Sequence, residues 1–158
     1  MTRPLIVPNP AKITGYFRDR FGIPEDIFDT YLFLENTKNV WATKGTDDLE
    51  SLLSLKLFQF AGMHILRRIH QYYKPTSYGL QQFGGHASRN VVQLNRFELR
   101  GLLEHGILPL GKSPDAEPGY VILSYHGQPL GCGIYREGTL AHSFPKGRSI
   151  ALAGSGLY

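Results

Sequence analysis

A chain of 158 residues, 42% hydrophobic and 19% charged, can bury one good core or two small ones and has the composition of an ordinary folded protein. Its single Cys excludes an intramolecular disulfide and a thiolate metal cluster. No apolar run approaches a membrane span and no signal-like run opens the chain, so a cytoplasmic protein without membrane association is expected. The net charge of +4 and the pI near 9.2 favour a polyanionic partner. That charge is uneven. Residues 1–49 carry 6 Lys+Arg against 7 Asp+Glu, residues 50–75 carry 4 against 1, and residues 76–158 carry 7 against 5, which concentrates the basic character in the centre and the C-terminal half.

In chain order, the Pro-rich residues 1–10 read as an extended lead-in. Ile13, Phe17 and Phe21 recur at helical spacing, with Arg18, Asp19 and Arg20 between them, and Gly22 is a helix stop. Pro24, Glu25 and Asp26 open a second short helix, a proline early and acids in the first turn, with Ile27, Phe28 and Tyr31 turned inward. Residues 31–35 lead through a turn into a short strand over 38–43, where Trp41 is expected to anchor the core. Thr46, followed by Asp47 and Asp48, predicts the N-cap of a third helix continuing towards Phe58. Residues 63–73 fit helix or strand on periodicity alone.

Thr76 or Ser77 can cap a short helix over 78–83 that Gly84 and Gly85 stop. Residues 91–94 read as a strand. Asn95 caps a helix over 96–105 with Glu98 placed for a capping box, and Gly106 closes it. A polar loop over 112–118 leads to three β-type runs, 120–125, 129–136 and 139–143, separated by Gly-bearing turns. They predict an antiparallel meander. Gly131 and Gly133 inside the second run mark a bulge, a barrel corner or a close backbone approach. Residues 153–158 read as a loose tail.

Several of these stretches carry a likeness. The runs Gly119-Tyr120-Val121-Ile122-Leu123-Ser124-Tyr125, Pro129-Leu130-Gly131-Cys132-Gly133 and Phe144-Pro145-Lys146-Gly147-Arg148 resemble PUA-like RNA-binding domains. The nearest likeness is to the C-terminal domain of ribosomal-RNA cytosine-C5 methyltransferases of the RsmF type. Lys74-Pro75-Thr76, Leu80-Gln81-Gln82-Phe83-Gly84 and Ala87-Ser88-Arg89-Asn90-Val91-Val92 are similar to the first helix and strand of such a domain. Upstream, residues 21–28, 31–35 and 39–43 resemble the pre-PUA module found before PUA domains in ribosome-assembly proteins. The resemblance covers roughly residues 13–150. It implies an α+β fold, with a small pre-PUA α/β module over 1–70 and a PUA-like mixed β pseudo-barrel over 71–158. It also favours a strand within 63–73.

Catalytic patterns do not emerge. The six His residues form no His-Glu-x-x-His pattern, Cys132 has no base near it in sequence and reads as a packing residue, and no phosphate loop or dinucleotide fingerprint is present. The cofactor-binding and Cys-bearing motifs of the methyltransferases are missing, so the likeness concerns their RNA-binding end. Neither a catalytic residue, a metal nor a cofactor is expected. What the resemblance implies is RNA contact through the first helix of the second module, its adjacent loop and a late strand, which places the site at Lys74, Ser77, Gln82, His86, Arg89, Asn90, Lys146 and Arg148. Cations would neutralise phosphates, and Gln, Asn and His would reach base edges or 2′-hydroxyls. Arg67 and Arg68, interleaved with Tyr72 and Tyr73, add a basic, stacking segment. The expected function is non-catalytic binding of structured rRNA or tRNA, as an accessory in RNA modification or ribosome assembly, with an RNA methyltransferase or ribosome-assembly protein as further partner. The alternative is an adaptor that docks an RNA-modifying enzyme without much RNA contact.

Overall fold

The computed structural model describes residues 4–45, 62–113 and 115–155. The helix expected from Thr46 lies outside them. Among the described residues the fold is mixed α+β with two five-stranded sheets, one of them curled into a half-barrel.

The first sheet is an antiparallel meander of β1 (Leu5–Ile6), β2 (Tyr31–Glu35), β3 (Asn39–Lys44), β4 (Met63–Ile69) and β5 (Tyr72–Pro75). Helix α1 (Ala11–Phe21) packs on it, ended as expected by Gly22 in the left-handed region. The helix expected at 24–26 is a single tight turn, Glu25–Phe28, that buries Phe28. Residues 63–75 resolve into the β4–β5 hairpin, so β5 pairs in the first sheet although it lies past residue 70.

The second sheet runs in the order β6 (Val91–Leu94), β8 (Gly119–Tyr125), β9 (Gln128–Arg136), β10 (Thr139–His142), β7 (Ile107–Pro109). The expected meander is β8–β9–β10, and β6 adds to it in parallel. Helix α3 (Arg96–His105) carries the capping box read from Asn95 and Glu98. It returns the chain from β6 to the sheet's far edge. Of the loose tail expected over 153–158, Ala153 and Gly154 belong instead to a helix, and 156–158 lie outside the described residues. Pro145 opens helix α4 (Lys146–Gly154), whose Leu152 is buried against the second core. Leu152, one residue before the expected tail, gives the end of this helix an apolar side chain to pack on the core.

Helix α2 (Ser77–Phe83) joins the sheets. Thr76 caps it, accepting from the Gly79 N–H at 3.0 Å while its hydroxyl donates to the His64 carbonyl of β4 at 2.6 Å. Gly79 lies so close to β4 that a Cβ would stand 2.9 Å from the Ile65 carbonyl oxygen. Phe83, at the helix end, meets Phe28 at 4.8 Å and Tyr31 at 5.2 Å between ring centroids, contacts that add about 0.5–1.5 kcal/mol each beyond area burial. One core therefore runs from α1 and the first sheet through Leu80 and Phe83 to Ile122 and Cys132 of the second. On the other face of that second sheet, Val121 and Leu123 pack with α3 and α4. Val121, Ile122 and Leu123 are all fully buried because β8 is covered on both faces.

Trp41 does not anchor the core. Val40 and Ala42 on either side of it are buried, and alternation along β3 turns Trp41 to the opposite face, where its half-buried ring lies against His64 at 5.8 Å.

The close approach expected at Gly131 is present. Its φ is 152°, and a Cβ there would stand 2.7 Å from Ser77 Oγ and 2.9 Å from Phe144 Cδ1. Gly131→Ala should lower the unfolding free energy by at least about 1–3 kcal/mol, read from the denaturant midpoint. Gly85→Ala, with open space where the methyl would go, should leave the midpoint within about 0.5 kcal/mol.

Candidate nucleic-acid interface

Six of the ten residues expected to bind fall at two places. Arg67, Lys74 and Ser77 line one cleft of about 300 Å³, together with His64, Pro75, Thr76, Tyr78, Ser143, Phe144 and Pro145. Lys146 follows directly, exposed at the start of α4. Arg89 and Asn90 line another of about 350 Å³ with Ser88, Gln93, Asp115 and Glu117. The two clefts share no lining residue.

The first cleft sits between the β4–β5 hairpin, the start of α2 and the link from β10 to α4. Arg67 and Lys74 are cross-strand partners, so their like charges stand opposite one another on one face, an arrangement that destabilises a hairpin left to itself. Alternation puts Tyr72, 68% exposed, on that same face, and Tyr78, 53% exposed, stands at the cleft's helical wall. None of the described lining residues is acidic. Among the described residues Arg67, Lys74 and Lys146 make no ion pair.

His64 sits at the edge of this cleft. Among the described residues its buried Nε2 has no hydrogen-bond partner, and burial, then the Arg67 charge, holds the imidazole below its usual range. Behind Phe144 of that lining, His142 is also lowered by burial. It stacks on Phe144 at 4.9 Å and its Nδ1 accepts from the Phe144 N–H at 3.3 Å.

Other expected contacts are committed inside the fold. Ser77, 4% exposed, spends its hydroxyl on the Ser143 carbonyl (3.2 Å) and the Cys132 N–H (3.0 Å). Arg68 pairs with Glu35 and lies over the Tyr73 ring. Arg148 Nε donates to the Leu130 carbonyl at 2.9 Å, which pins α4 to β9. Asn90 is 4% exposed. Its Nδ2 donates to the Arg20 carbonyl at 2.7 Å and its Oδ1 accepts from the Glu117 N–H at 2.8 Å. Arg89 Nη2 donates to the Arg18 carbonyl at 2.8 Å, and the Ser88 and Arg89 N–H groups both reach the Phe21 carbonyl. The loop over 88–90 thus satisfies the open carbonyls at the end of α1, where a cation also suits the helix dipole. Asn90 and Ser77 thus serve the fold, each nearly buried and hydrogen-bonded within the chain while lining a cleft. His86 is exposed in the turn after α2 and Gln82 on its outer face, the latter lining a neighbouring cleft with Gln81.

His64, Tyr78, Ser143 and Phe144 belong to the site without having been expected there. Their only trace in the sequence is proximity to Lys74-Pro75-Thr76 and to Pro145-Lys146; the juxtaposition itself arises from the sheet pairing.

Cys132 is buried, and that burial pushes its thiol up to about 12, as a packing residue requires. Among the described residues no group of His, Cys, Asp and Glu is arranged to hold a metal ion, and no helix is long and apolar enough to cross a membrane. The sequence matches no protein-family model and no curated protein.

Asn90→Ala should cost about 1–3 kcal/mol by leaving the Arg20 carbonyl and the Glu117 N–H unpaired, measured by denaturant unfolding. Lowered His64 and His142 values mean that the unfolded chain takes up these protons first as pH falls. Stability should be fully present above the ordinary value of 6.5 and decline as pH drops below it. Melting temperatures across that window should fall less in His64→Gln and His142→Gln than in the parent chain.

Proposed function

We propose that this chain is a non-catalytic RNA-binding protein, a pre-PUA-like module followed by a PUA-like pseudo-barrel, acting on structured rRNA or tRNA as an accessory in RNA modification or ribosome assembly. The observation that carries the reading is the first cleft. Its described walls place Arg67 opposite Lys74, with the exposed Tyr78 and without a carboxylate, and the exposed Lys146 follows its lining residue Pro145 in the chain. Unpaired cations next to exposed aromatic faces suit a phosphate backbone and its bases. A carboxylate-bearing partner protein would satisfy the cations but leave the tyrosines without a purpose. The α+β architecture of two sheets, one of them curled, is compatible with a pseudo-barrel.

The adaptor reading draws on a different feature, Phe97 at the start of α3, which is 80% exposed. The two readings separate on salt. RNA affinity should fall steeply as salt rises, with log K linear in log[salt]. Replacing Arg67, Lys74 and Lys146 together by Ala should reduce the slope by about 2 for a single strand, while melting stays close to the parent's, because exposed charges contribute little. Affinity that is flat in salt, or a slope unchanged in the triple variant, would favour the adaptor.

A further inference from the structure

The cationic cleft does not end at His64 and Tyr78. Those two residues also line a second cavity of about 390 Å³, whose other described walls are Gly62, Met63, Gln81 and Gln82. The two cavities therefore adjoin, and their linings differ in chemistry. One side offers Arg67 and Lys74. The other offers two primary amides, both on exposed residues of α2, and a thioether, with neither cation nor carboxylate among the described residues apart from the shared imidazole. Tyr78 stands at the junction, more than half exposed. With it in both linings is His64, whose ring lies against Trp41, its cross-strand partner, and whose buried Nε2 has no partner among the described residues.

We infer that the paired cavities form a site for an unpaired nucleotide of the bound RNA, with its phosphate on the Arg67–Lys74 side and its base in the amide cavity against Tyr78. This rests on the RNA-binding reading above and specifies the form of RNA. A primary amide presents a donor and an acceptor together, which matches the paired donor and acceptor on a base edge. An exposed phenol ring presents a face for stacking that accepts any base. A paired base inside an A-form helix has its face covered by its neighbours and its edge turned to its partner, so it can enter such a cavity only once unstacked. The cations alone would hold a duplex and a single strand on similar terms. The amide cavity distinguishes them.

The experiment measures binding of a short unstructured RNA strand, and of the same strand annealed to its complement, as a function of salt. The single strand should bind about tenfold or more tightly. Tyr78→Ala should remove most of that preference, and the double variant Gln81→Ala/Gln82→Ala should reduce it, both with the salt slope unchanged because no phosphate contact is lost. Tyr78→Phe should keep the preference, since the ring face remains. These positions are exposed on α2, and the melting curve of each variant checks that the fold is intact. Equal binding of both RNAs with a steep salt slope, or a preference that survives Tyr78→Ala, overturns the nucleotide site while leaving RNA binding standing. No binding of either RNA overturns both.

Discussion

The hydroxyl of Ser77 is the point on which the arrangement of the two sheets depends. It donates to the Ser143 carbonyl and accepts from the Cys132 N–H, so one buried atom ties the start of α2 to the middle of β9 and to the link that leads into α4. The geometry leaves no room for a side chain at Gly131. One residue earlier, Thr76 fastens the same helix start to β4 of the first sheet. Two adjacent hydroxyls thereby hold three chain segments that are remote in sequence, and the cationic cleft is the gap they leave between them. A buried hydroxyl with both of its capacities used is stable in an apolar setting, whereas losing one partner would cost the desolvation of the other.

A second fastening lies at the C-terminal end of α1. Arg20 donates to the Tyr120 and Glu117 carbonyls, and Asn90 returns a bond to the Arg20 carbonyl. The loop over 88–90 looks, in a one-dimensional reading, like a recognition loop, because it is polar, basic and follows glycines. In three dimensions it closes a helix end. The carbonyls of the last turn of any helix need donors, and residues rich in N–H groups serve that need as well as they would serve a phosphate.

That contrast explains what could be read in advance. Local signals were strong wherever the cause was local: Gly22 and Gly106 ending helices, Asn95 and Glu98 forming a capping box, and the Gly-bearing turns of the β8–β9–β10 meander all act within a few residues. Gly131 was legible as a close approach, though the residue that approaches, Ser77, was not. Trp41 was misjudged because its size favours burial while its place in the alternation of β3 turns it outward, and the alternation prevailed. Arg67 and Lys74 could be named as cations from composition, but their cross-strand pairing depends on the register of a hairpin. The sorting of Arg67 from Arg68 into free and paired follows from strand alternation once that hairpin exists, since Glu35 lies within reach of only one of them.

Cys132 carries a consequence of its own. It belongs to the cluster that α1, the first sheet and β8 build together, and it is the only cysteine in the chain. A thiol held neutral by burial reacts with alkylating agents only when solvent reaches it. The rate of its modification under native conditions therefore times the parting of the two sheets, through a chemical clock placed at their junction.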